Sequence, residues 1–216
     1  KGFRKLEYYS RYFDCVEVNS TFYNSSLSEK HSRKWLQDVS GNERFVFIVK
    51  LFQGFTHTFQ ATRNDVLNIR RLLDPLSQNG KLAGLLLQFP YSFTNLKERL
   101  EYVVQLKKLF PIHQLFVEVR HNSWNNTKAV QRLQENGLNV VNVDIPRIKQ
   151  HMPLTTFASG GIVFFRLMGR NGKTWDRPWR VGENGKYMVS DRYNYYYSQK
   201  ELDDLVEYIQ KVKTKS

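Results

Sequence analysis

Three side chains that can move protons or bind anions stand within four residues of one another: Glu118, Arg120 and His121. If residues 115–120 form a strand, Glu118 and Arg120 point to the same side, because side chains alternate along a strand. A carboxylate can act as a general base, and the planar fork of an arginine binds carboxylates and phosphates. This spacing indicates acid–base chemistry on an anionic substrate. A structural ion pair at the end of a strand is the alternative interpretation.

Other apolar segments also end in polar residues, namely Glu17, Asn19, Lys50, Gln88, Asn142, Asp144 and Arg166. If Val16, Val49 and Val117 face a layer of helices, these polar side chains lie together on the opposite face. The interiors of barrels are normally filled by branched apolar residues, so matching polar positions on six strands indicate a pocket.

The elements that must position these residues alternate between apolar strands and amphipathic helices. Strands are predicted near residues 15–19, 45–50, 82–89, 115–120, 138–144 and 162–168. Helices are predicted over residues 28–39, 62–77, 96–110, 128–136 and 199–211. This alternation is typical of a parallel sheet covered by helices. We predict one α/β domain over residues 1–216, a (β/α) TIM-type barrel with its site at the carboxyl ends of the strands.

A basic and aromatic loop follows the last predicted strand, over residues 169–197. Connections of this length are usually lids or binding loops. The loop combines arginines and lysines with tryptophans and tyrosines, so it can stack on bases or sugar rings while holding phosphates. A packed cover whose tyrosines are buried is the alternative.

The net charge of +13, from 33 basic and 20 acidic residues, favours anionic partners such as phosphorylated metabolites or nucleic acid. A lysine-rich solvated surface is the alternative. No apolar run approaches the roughly 18 residues that cross a bilayer, and no secretory leader is visible at Lys1. Cys15 is the only cysteine, and we predict that it is buried. A single cysteine forms no intrachain disulfide, which fits a reducing compartment. We therefore expect a cytoplasmic protein without membrane contact.

The candidate residues divide into proton carriers and substrate contacts. Catalytic roles are predicted for Glu118, His121, His57, Lys50, Glu17 and Asp144. Glu118 would be the base, with His121 or His57 as its proton partner and Lys50 as an electrophile or phosphate contact. Substrate contacts are predicted for Asn19, Tyr23, Gln88, Arg120, Trp124, Arg166, Arg170, Trp175 and Tyr195. The arginines would bind an anion, and the tryptophans would exclude water.

A divalent metal is a further option for the same carboxylates. The available oxygen and imidazole ligands are Glu17, Glu118 and Asp144, with His57 or His121. Lys50, Arg120 and Arg166 converge on the same region and can neutralise the carboxylates without a metal. No dense metal motif such as His-Glu-x-x-His is present. The sequence therefore favours a site without a metal and identifies no other cofactor.

Several motifs, in this order, resemble the YecE-like family, a domain of unknown function. They are residues 16–23, Lys50 with residues 56–57, residues 86–90, residues 117–121 with Trp124, Asp144 before Pro146, Arg166 with residues 169–171, and residues 195–198 with Glu201. The resemblance covers nearly the whole chain. It implies a (β/α) barrel related to sugar isomerases and to metal-dependent endonucleases.

The chain departs from the family pattern in two respects. Met168 stands where the resemblance implies a histidine in many members, which removes one candidate base or ligand. The resemblance also implies a strand before Lys1 and another after Ser216. We therefore expect these residues to lack the first and last of eight strands and to be part of a longer protein.

Three functions follow from these observations. The first is an enzyme that performs isomerase-like acid–base chemistry on a small anionic substrate such as a sugar phosphate. The second is a nucleic-acid-binding or endonuclease-like barrel that uses the basic aromatic surface. The third is a non-catalytic binding module. The sequence leaves the oligomeric state open.

Overall fold

The computed structural model of the chain describes residues 2–158, 161–173, 175 and 193–213. The chain divides into two compact units. The first comprises Lys1–Phe89 and Lys108–Phe116, and the second comprises Pro90–Lys107 and Val117–Ser216. Two elements, α6 (Lys97–Leu109) and β4 (Leu115–Glu118), begin in one unit and end in the other.

The first unit alternates parallel strands with helices. Its elements are α1 (Lys5–Tyr9), β1 (Cys15–Val18), α2 (Ser20–Tyr23), α3 (Glu29–Asp38), β2 (Val46–Lys50), α4 (Gln53–Thr56), α5 (Arg63–Gln78) and β3 (Leu82–Gln88). The strands are parallel and lie in the order β1-β2-β3. The α/β class and the parallel sheet predicted from the sequence are therefore confirmed, while closure into a TIM-type barrel stays a prediction.

The two faces of this sheet differ in polarity as predicted. On the helix side, Trp35 of α3 stacks on Phe47 of β2 with 6.1 Å between ring centroids. On the other side, Glu17 aligns with Ile48, and Lys50 aligns with Leu86. Aligned residues of parallel strands project to the same face, and so do residues two apart. Glu17, Lys50 and Gln88 therefore share one face of the sheet.

Gly84 lets β3 come close to its neighbours within the first unit. A Cβ atom at this position would lie 2.6 Å from the ring of Phe116 and 2.7 Å from the carbonyl oxygen of Gln114. The amide of the next residue, Leu85, donates to that same carbonyl at 2.9 Å. Only glycine leaves room for this approach.

The second unit contains shorter strands. After the end of β4 it comprises a 3₁₀ turn (Asn122–Trp124), α7 (Thr127–Glu135), β5 (Leu138–Val140), β6 (Asn142–Asp144), β7 (Phe165–Leu167) and α8 (Gln199–Lys213). The prediction of a single strand over residues 138–144 is wrong, because two strands, β5 and β6, occupy this segment. The amide of Val141 donates to Val117, whereas the amide of Asn142 donates to Phe164. The chain changes its hydrogen-bonding partner at this point, which separates β5 from β6.

The register of β6 and β7 corrects a second prediction. Val143 aligns with Arg166, and Asp144 aligns with Leu167. Because aligned residues of parallel strands share a face, Arg166 projects on the side opposite to Asp144. The prediction that all the polar strand residues share one face is therefore wrong for this pair of strands.

Most of the observed helices begin and end within one or two residues of the bounds predicted from the sequence. Ser28 is the N-cap of α3, as predicted, and its amide donates to the His31 ring at 3.1 Å. Cys15 is exposed instead of buried, and it lies at the start of β1, which has a neighbouring strand on only one side in the described sheet. Of the predicted basic aromatic loop, residues 174 and 176–192 lie outside the described residues. In the part of the chain that is described, no helix is long and apolar enough to span a membrane.

Thr62 provides a test of helix capping in the first unit. The Asp65 amide donates to the Thr62 hydroxyl at 3.2 Å, and the Thr62 amide donates to the Asp65 carboxylate at 2.8 Å. We expect Thr62→Ala to lower the free energy of unfolding by about 1 kcal/mol. Thr62→Ser retains the hydroxyl and should preserve most of the stability. Urea denaturation followed by circular dichroism measures both, and equal stability of the two variants would contradict the capping role.

Candidate functional site

The second unit contains a buried carboxylate that is held between two guanidinium groups. Glu118, the last residue of β4, has a side chain with no solvent exposure. Its Oε1 accepts a hydrogen bond from Nε of Arg120 at 2.8 Å, and its Oε2 accepts one from Nη1 of Arg166. Burial by itself would raise the pKa of Glu118, but the charges and hydrogen bonds of the two arginines outweigh burial and lower it. Glu118 is therefore an ionised anchor for two arginines.

The Arg120 guanidinium is held on a second side by a sulfur atom. Its Nη2 lies 3.5 Å from Sδ of Met168. Thioether sulfur is a weak acceptor, so this contact orients the arginine without neutralising it. Only 13% of the Arg120 side chain is exposed. Within the described residues, its Nη1 makes no hydrogen bond.

A second ionic cluster forms around Asp144, at the end of β6. The Asp144 side chain is 5% exposed, and Nε of Arg170 donates to its two oxygens at 3.0 and 2.9 Å. The Tyr197 hydroxyl donates to the same carboxylate at 2.7 Å. Burial, followed by this hydrogen bond, raises the pKa of Tyr197. The phenol therefore keeps its proton and acts as a fixed donor to Asp144.

Glu201, in the first turn of α8, completes this cluster. Its Oε1 accepts from Nη1 of Arg170 at 3.1 Å and from the Tyr195 hydroxyl, and its Oε2 accepts from the Ser198 amide at 2.9 Å. The Tyr195 hydrogen bond, followed by that of the Ser198 amide, lowers the pKa of Glu201 to about 2. One carboxylate thus caps the helix and holds Arg170.

The sequence did not assign a site role to Tyr197 or Glu201. A signal for Glu201 was present, because Ser198 and Glu201 have the Ser-x-x-Glu spacing of a capping box. That spacing predicts a helix start, but it gives no indication that the other carboxylate oxygen binds Arg170. Tyr197 has no local signal, since its partner Asp144 is more than fifty residues earlier in the chain.

His121 and Trp124 lie at positions with clear structural roles. Nδ1 of His121 accepts from the Ser123 amide at 3.1 Å, and its Nε2 lies 2.9 Å from Oε1 of Gln150. The Trp124 side chain is 1% exposed, and its Nε1 donates to the carbonyl of Phe93 at 2.7 Å. Both side chains therefore stabilise the chain after β4, and their predicted catalytic and substrate-binding roles stay predictions.

A series of aromatic rings in the second unit was not foreseen from the sequence. Tyr91 contacts His121 and His151, with centroids 5.2 and 4.9 Å apart. Trp175 lies 5.9 Å from His151 and 6.2 Å from Tyr193. Trp175 is 4% exposed, so it packs in this series as a buried residue.

The first unit contains the remaining candidate residues. Nζ of Lys50 donates to Oε1 of Gln88 at 2.7 Å and lies 4.1 Å from the centroid of the Phe22 ring. His57 also contacts Phe22, at 4.9 Å between centroids, and its Nδ1 lies 2.9 Å from the Thr56 hydroxyl. Glu17 is half-buried, whereas Asn19 and Tyr23 are exposed. Lys50 and Gln88 therefore form a buried polar pair, the half-buried His57 contacts the same Phe22 ring as Lys50, and Asn19 and Tyr23 lie at the surface.

The possible metal ligands do not gather into one cluster. Over residues 2–158, 161–173, 175 and 193–213, no three His, Cys, Asp or Glu side chains lie close enough together to hold a metal ion. In the second unit, Glu118 and Asp144 are instead bound by arginines. Arginine-bound carboxylates fix guanidinium groups in space, and fixed guanidinium groups bind anions.

Removing the charge of Glu118 should destabilise the fold strongly. Glu118→Gln leaves Arg120 and Arg166 without their shared buried anion, and breaking a buried ion pair from one side costs about 3–5 kcal/mol. Glu207→Gln is a matched control, because Glu207 pairs with Lys211 at the surface of α8. Chemical denaturation of both variants should show a large loss of stability for Glu118→Gln only. If Glu118→Gln were as stable as the unchanged chain, the charge of Glu118 would not stabilise the fold.

The same ion pairs predict a dependence of stability on pH. The pKa of Glu118 is lower in the folded chain than in the unfolded chain, so its contribution is complete above the unfolded value of about 4.3. This contribution is lost as the pH falls through the folded value. The difference in unfolding free energy between the unchanged chain and Glu118→Gln should therefore narrow below about pH 4. Denaturation curves at a series of acidic pH values measure this difference, and a constant difference would contradict the assignment.

Comparisons with known proteins agree with the motifs seen in the sequence. The family described as "Protein of unknown function DUF72" matches residues 1–216. The UPF0759 protein YunF of Bacillus subtilis is 29% identical over 213 residues, which are 93% of this chain and 73% of that protein.

Solved structures of the same family have a similar fold. A DUF72 family protein of Enterococcus faecalis V583 is 26% identical, with a TM-score of 0.83 over 97% of this chain and 77% of that one. A DUF72 family protein of Thermotoga maritima MSB8 is 29% identical, with a TM-score of 0.79 over 96% of this chain and 76% of that one. The YecE-like resemblance is thereby confirmed, because the YecE-like family is the DUF72 family. The chain belongs to the DUF72 family, whose members are described as proteins of unknown function.

Proposed function

We propose that the second unit binds a small ligand that carries a phosphate or carboxylate group, through Arg120, Arg166 and Arg170. We further propose that the chain is an enzyme that performs isomerase-like acid–base chemistry on this ligand. The observation that carries the proposal is the buried Glu118 carboxylate, which holds two guanidinium groups at once.

The Glu118 cluster suits an anion in its charge and its rigidity. The formal charges of Glu118, Arg120 and Arg166 add up to one positive charge. Two hydrogen-bonding contacts fix the Arg120 guanidinium, so a ligand would lose less side-chain entropy when it binds. In the described residues, Nη1 of Arg120 makes no hydrogen bond and is available as a donor. Charge-assisted hydrogen bonds to oxygen anions are stronger where the side chains are largely buried.

Arg170 supplies a second fixed guanidinium group. Asp144 binds its Nε and Glu201 binds its Nη1, while its Nη2 has no hydrogen-bond partner among the described residues. Arginines held in this way by neighbouring carboxylates keep their remaining N–H groups in a defined direction. That geometry suits a charge-assisted hydrogen bond from Nη2 to a phosphate or a carboxylate.

In this proposal the base is Asp144 and not Glu118. Both Glu118 oxygens accept from guanidinium groups, and its lowered pKa makes it a weaker proton acceptor. Both Asp144 oxygens also accept hydrogen bonds, but from a single guanidinium group, that of Arg170, and from the neutral Tyr197 hydroxyl, so one cation faces Asp144 where two face Glu118. Glu118 then acts as a positioning residue for the two arginines, and Asp144 takes the role that the sequence assigned to Glu118.

A ligand screen with a matched pair of variants tests the proposal. We expect sugar phosphates or inorganic phosphate to raise the melting temperature of the chain, since a ligand at 100 times its Kd stabilises by roughly 2.7 kcal/mol. Arg120→Lys keeps the charge but loses the fork, and it should abolish most of the shift. Arg33→Lys, on the surface of α3, is the control and should retain it. With a ligand identified, Asp144→Asn should lose turnover and should weaken binding less than Arg120→Lys does, because it removes one of the two carboxylates that fix Arg170.

Two results would overturn this proposal. One is the absence of any shift with every phosphate and carboxylate ligand in the screen. The other is stabilisation by oligonucleotides alone that weakens steeply with salt, by about 0.9 log units per log unit of salt for each phosphate contact, and that Arg120→Lys leaves unchanged. The second result would favour a nucleic-acid-binding function based on the overall charge of +13.

A further inference from the structure

A cavity of about 390 Å³ lies beside the first turns of α7 in the second unit. It is lined by Asn125, Asn126, Thr127, Val130, Gln131, Gln134 and Phe157. Although a quarter of the residues of this chain are charged, none of the described residues that line the cavity is charged. Its volume is in the range of roughly 300–1,000 Å³ that is usual for small-molecule sites. The lining favours a neutral, polar ligand.

The orientation of three amide side chains around this cavity is fixed by the protein. Nε2 of Gln131 donates to the Glu135 carboxylate at 2.8 Å, and Nε2 of Gln134 donates to the Ala158 carbonyl at 3.0 Å. A carboxylate and a carbonyl only accept, so these bonds determine which end of each amide is the nitrogen. By the same reasoning, the Ala129 amide, which donates to Asn126 at 3.1 Å, identifies the bound end of Asn126 as its oxygen.

Each of these amides therefore has one end bound to the protein and one end available. Within the described residues, Oε1 of Gln131, Oε1 of Gln134 and Nδ2 of Asn126 make no hydrogen bond. These three amides thus supply two separate acceptors and one separate donor, and Asn125, which also lines the cavity, adds one of each on a single amide. Hydroxyl groups match such a set, because each hydroxyl can either donate or accept.

Phe157 adds an aromatic surface whose backbone is held in place. Its amide donates to Oδ1 of Asn142 at 2.8 Å, and its carbonyl accepts from Nδ2 of the same residue at 2.9 Å. Asn142 has no solvent exposure, and Thr155 also donates to it, at 2.7 Å. The segment that carries the ring is therefore fixed before a ligand binds. The half-buried ring can contact the apolar C–H groups of a ligand.

We infer that this cavity is a binding site for a neutral saccharide or a similar polyol. A sugar ring combines hydroxyl groups with an apolar C–H face, which the separate amide ends and Phe157 match. A nucleobase fits less well. Recognition of a base by Asn or Gln uses both ends of one amide, and of the four amide side chains that line the cavity only that of Asn125 has both ends without a hydrogen bond among the described residues. The site is independent of the arginine clusters, and it takes a ligand of different charge.

The test is a titration of the full chain with glucose, galactose, mannose and maltose, followed by two-dimensional ¹H–¹⁵N NMR. We expect at least one of them to bind with a Kd of about 1 mM, and to shift the side-chain amide signals of Gln131 and Gln134. Gln131→Ala and Phe157→Ala should each weaken binding about 10-fold, equivalent to about 1.4 kcal/mol. Gln105→Ala, an exposed glutamine of α6 that is absent from the cavity lining, should leave binding unchanged.

Gln131 is exposed, and its hydrogen-bond partner, Glu135, lies on the same helix. Gln131→Ala therefore breaks no contact between elements and should fold even if Phe157→Ala does not. Equal melting temperatures of a variant and the unchanged chain show that a loss of binding is local. The inference is overturned if none of the four sugars shifts the amide signals, or if Gln131→Ala binds as tightly as Gln105→Ala. Binding of adenosine or cytidine at these signals, without binding of any sugar, would also overturn it.

Discussion

The buried carboxylate of Glu118 is the interaction on which the second unit depends. A carboxylate without solvent contact is stable in its ionised form only when cations and hydrogen-bond donors surround it. Arg120 and Arg166 meet this need, and they come from the end of β4 and from β7. Each arginine is in turn largely buried, so each of the three charged side chains depends on the others for its compensating charge. The position of β7 relative to β4 is tied to this one anion.

The second cluster extends the same principle to the last helix. Arg170 bridges Asp144, at the end of β6, and Glu201, at the start of α8. Tyr197 and Tyr195 donate to these two carboxylates, and the tight turn at Gly169 (φ +80°) lets its amide donate to the Tyr197 hydroxyl at 3.0 Å. A Cβ atom at Gly169 would lie 2.6 Å from Cβ of Tyr195, so glycine is required there. The start of α8 is therefore fixed by charge as well as by packing.

Two kinds of polar site thus occur within one unit. The arginine clusters are charged and largely buried, whereas the cavity beside α7 is neutral and lined by amide groups. Asn142 belongs to the architecture of the neutral site, because it holds the backbone of Phe157 from both sides. Fixed arginines select for anions through charge, and amides that have one end bound to the protein select for hydroxyl groups through geometry. The two sites would therefore take chemically different ligands.

The sequence determined the features that depend on local periodicity. Apolar runs and amphipathic repeats located most of the strands and helices, and Ser28 marked the start of α3. Alternation along β1, β2 and β3 correctly placed Glu17, Lys50 and Gln88 on one face. The ordered motifs identified the family, since they are spread over nearly the whole chain. Glu118 and Arg120 were recognised as partners because they lie two residues apart on the strand predicted over residues 115–120.

Tertiary structure decided every feature that depends on register or on contacts between distant residues. The change of partner at Val141 and the alignment of Asp144 with Leu167 set the faces of β6 and β7, and strand periodicity carries no information on register between strands. The pairing of Asp144 with Tyr197 joins residues far apart in the chain. The surroundings of Glu118 depend on the same kind of contact. Its sequence neighbours suggest a base beside one arginine, but the second arginine, from β7, makes it a buried ionised anchor.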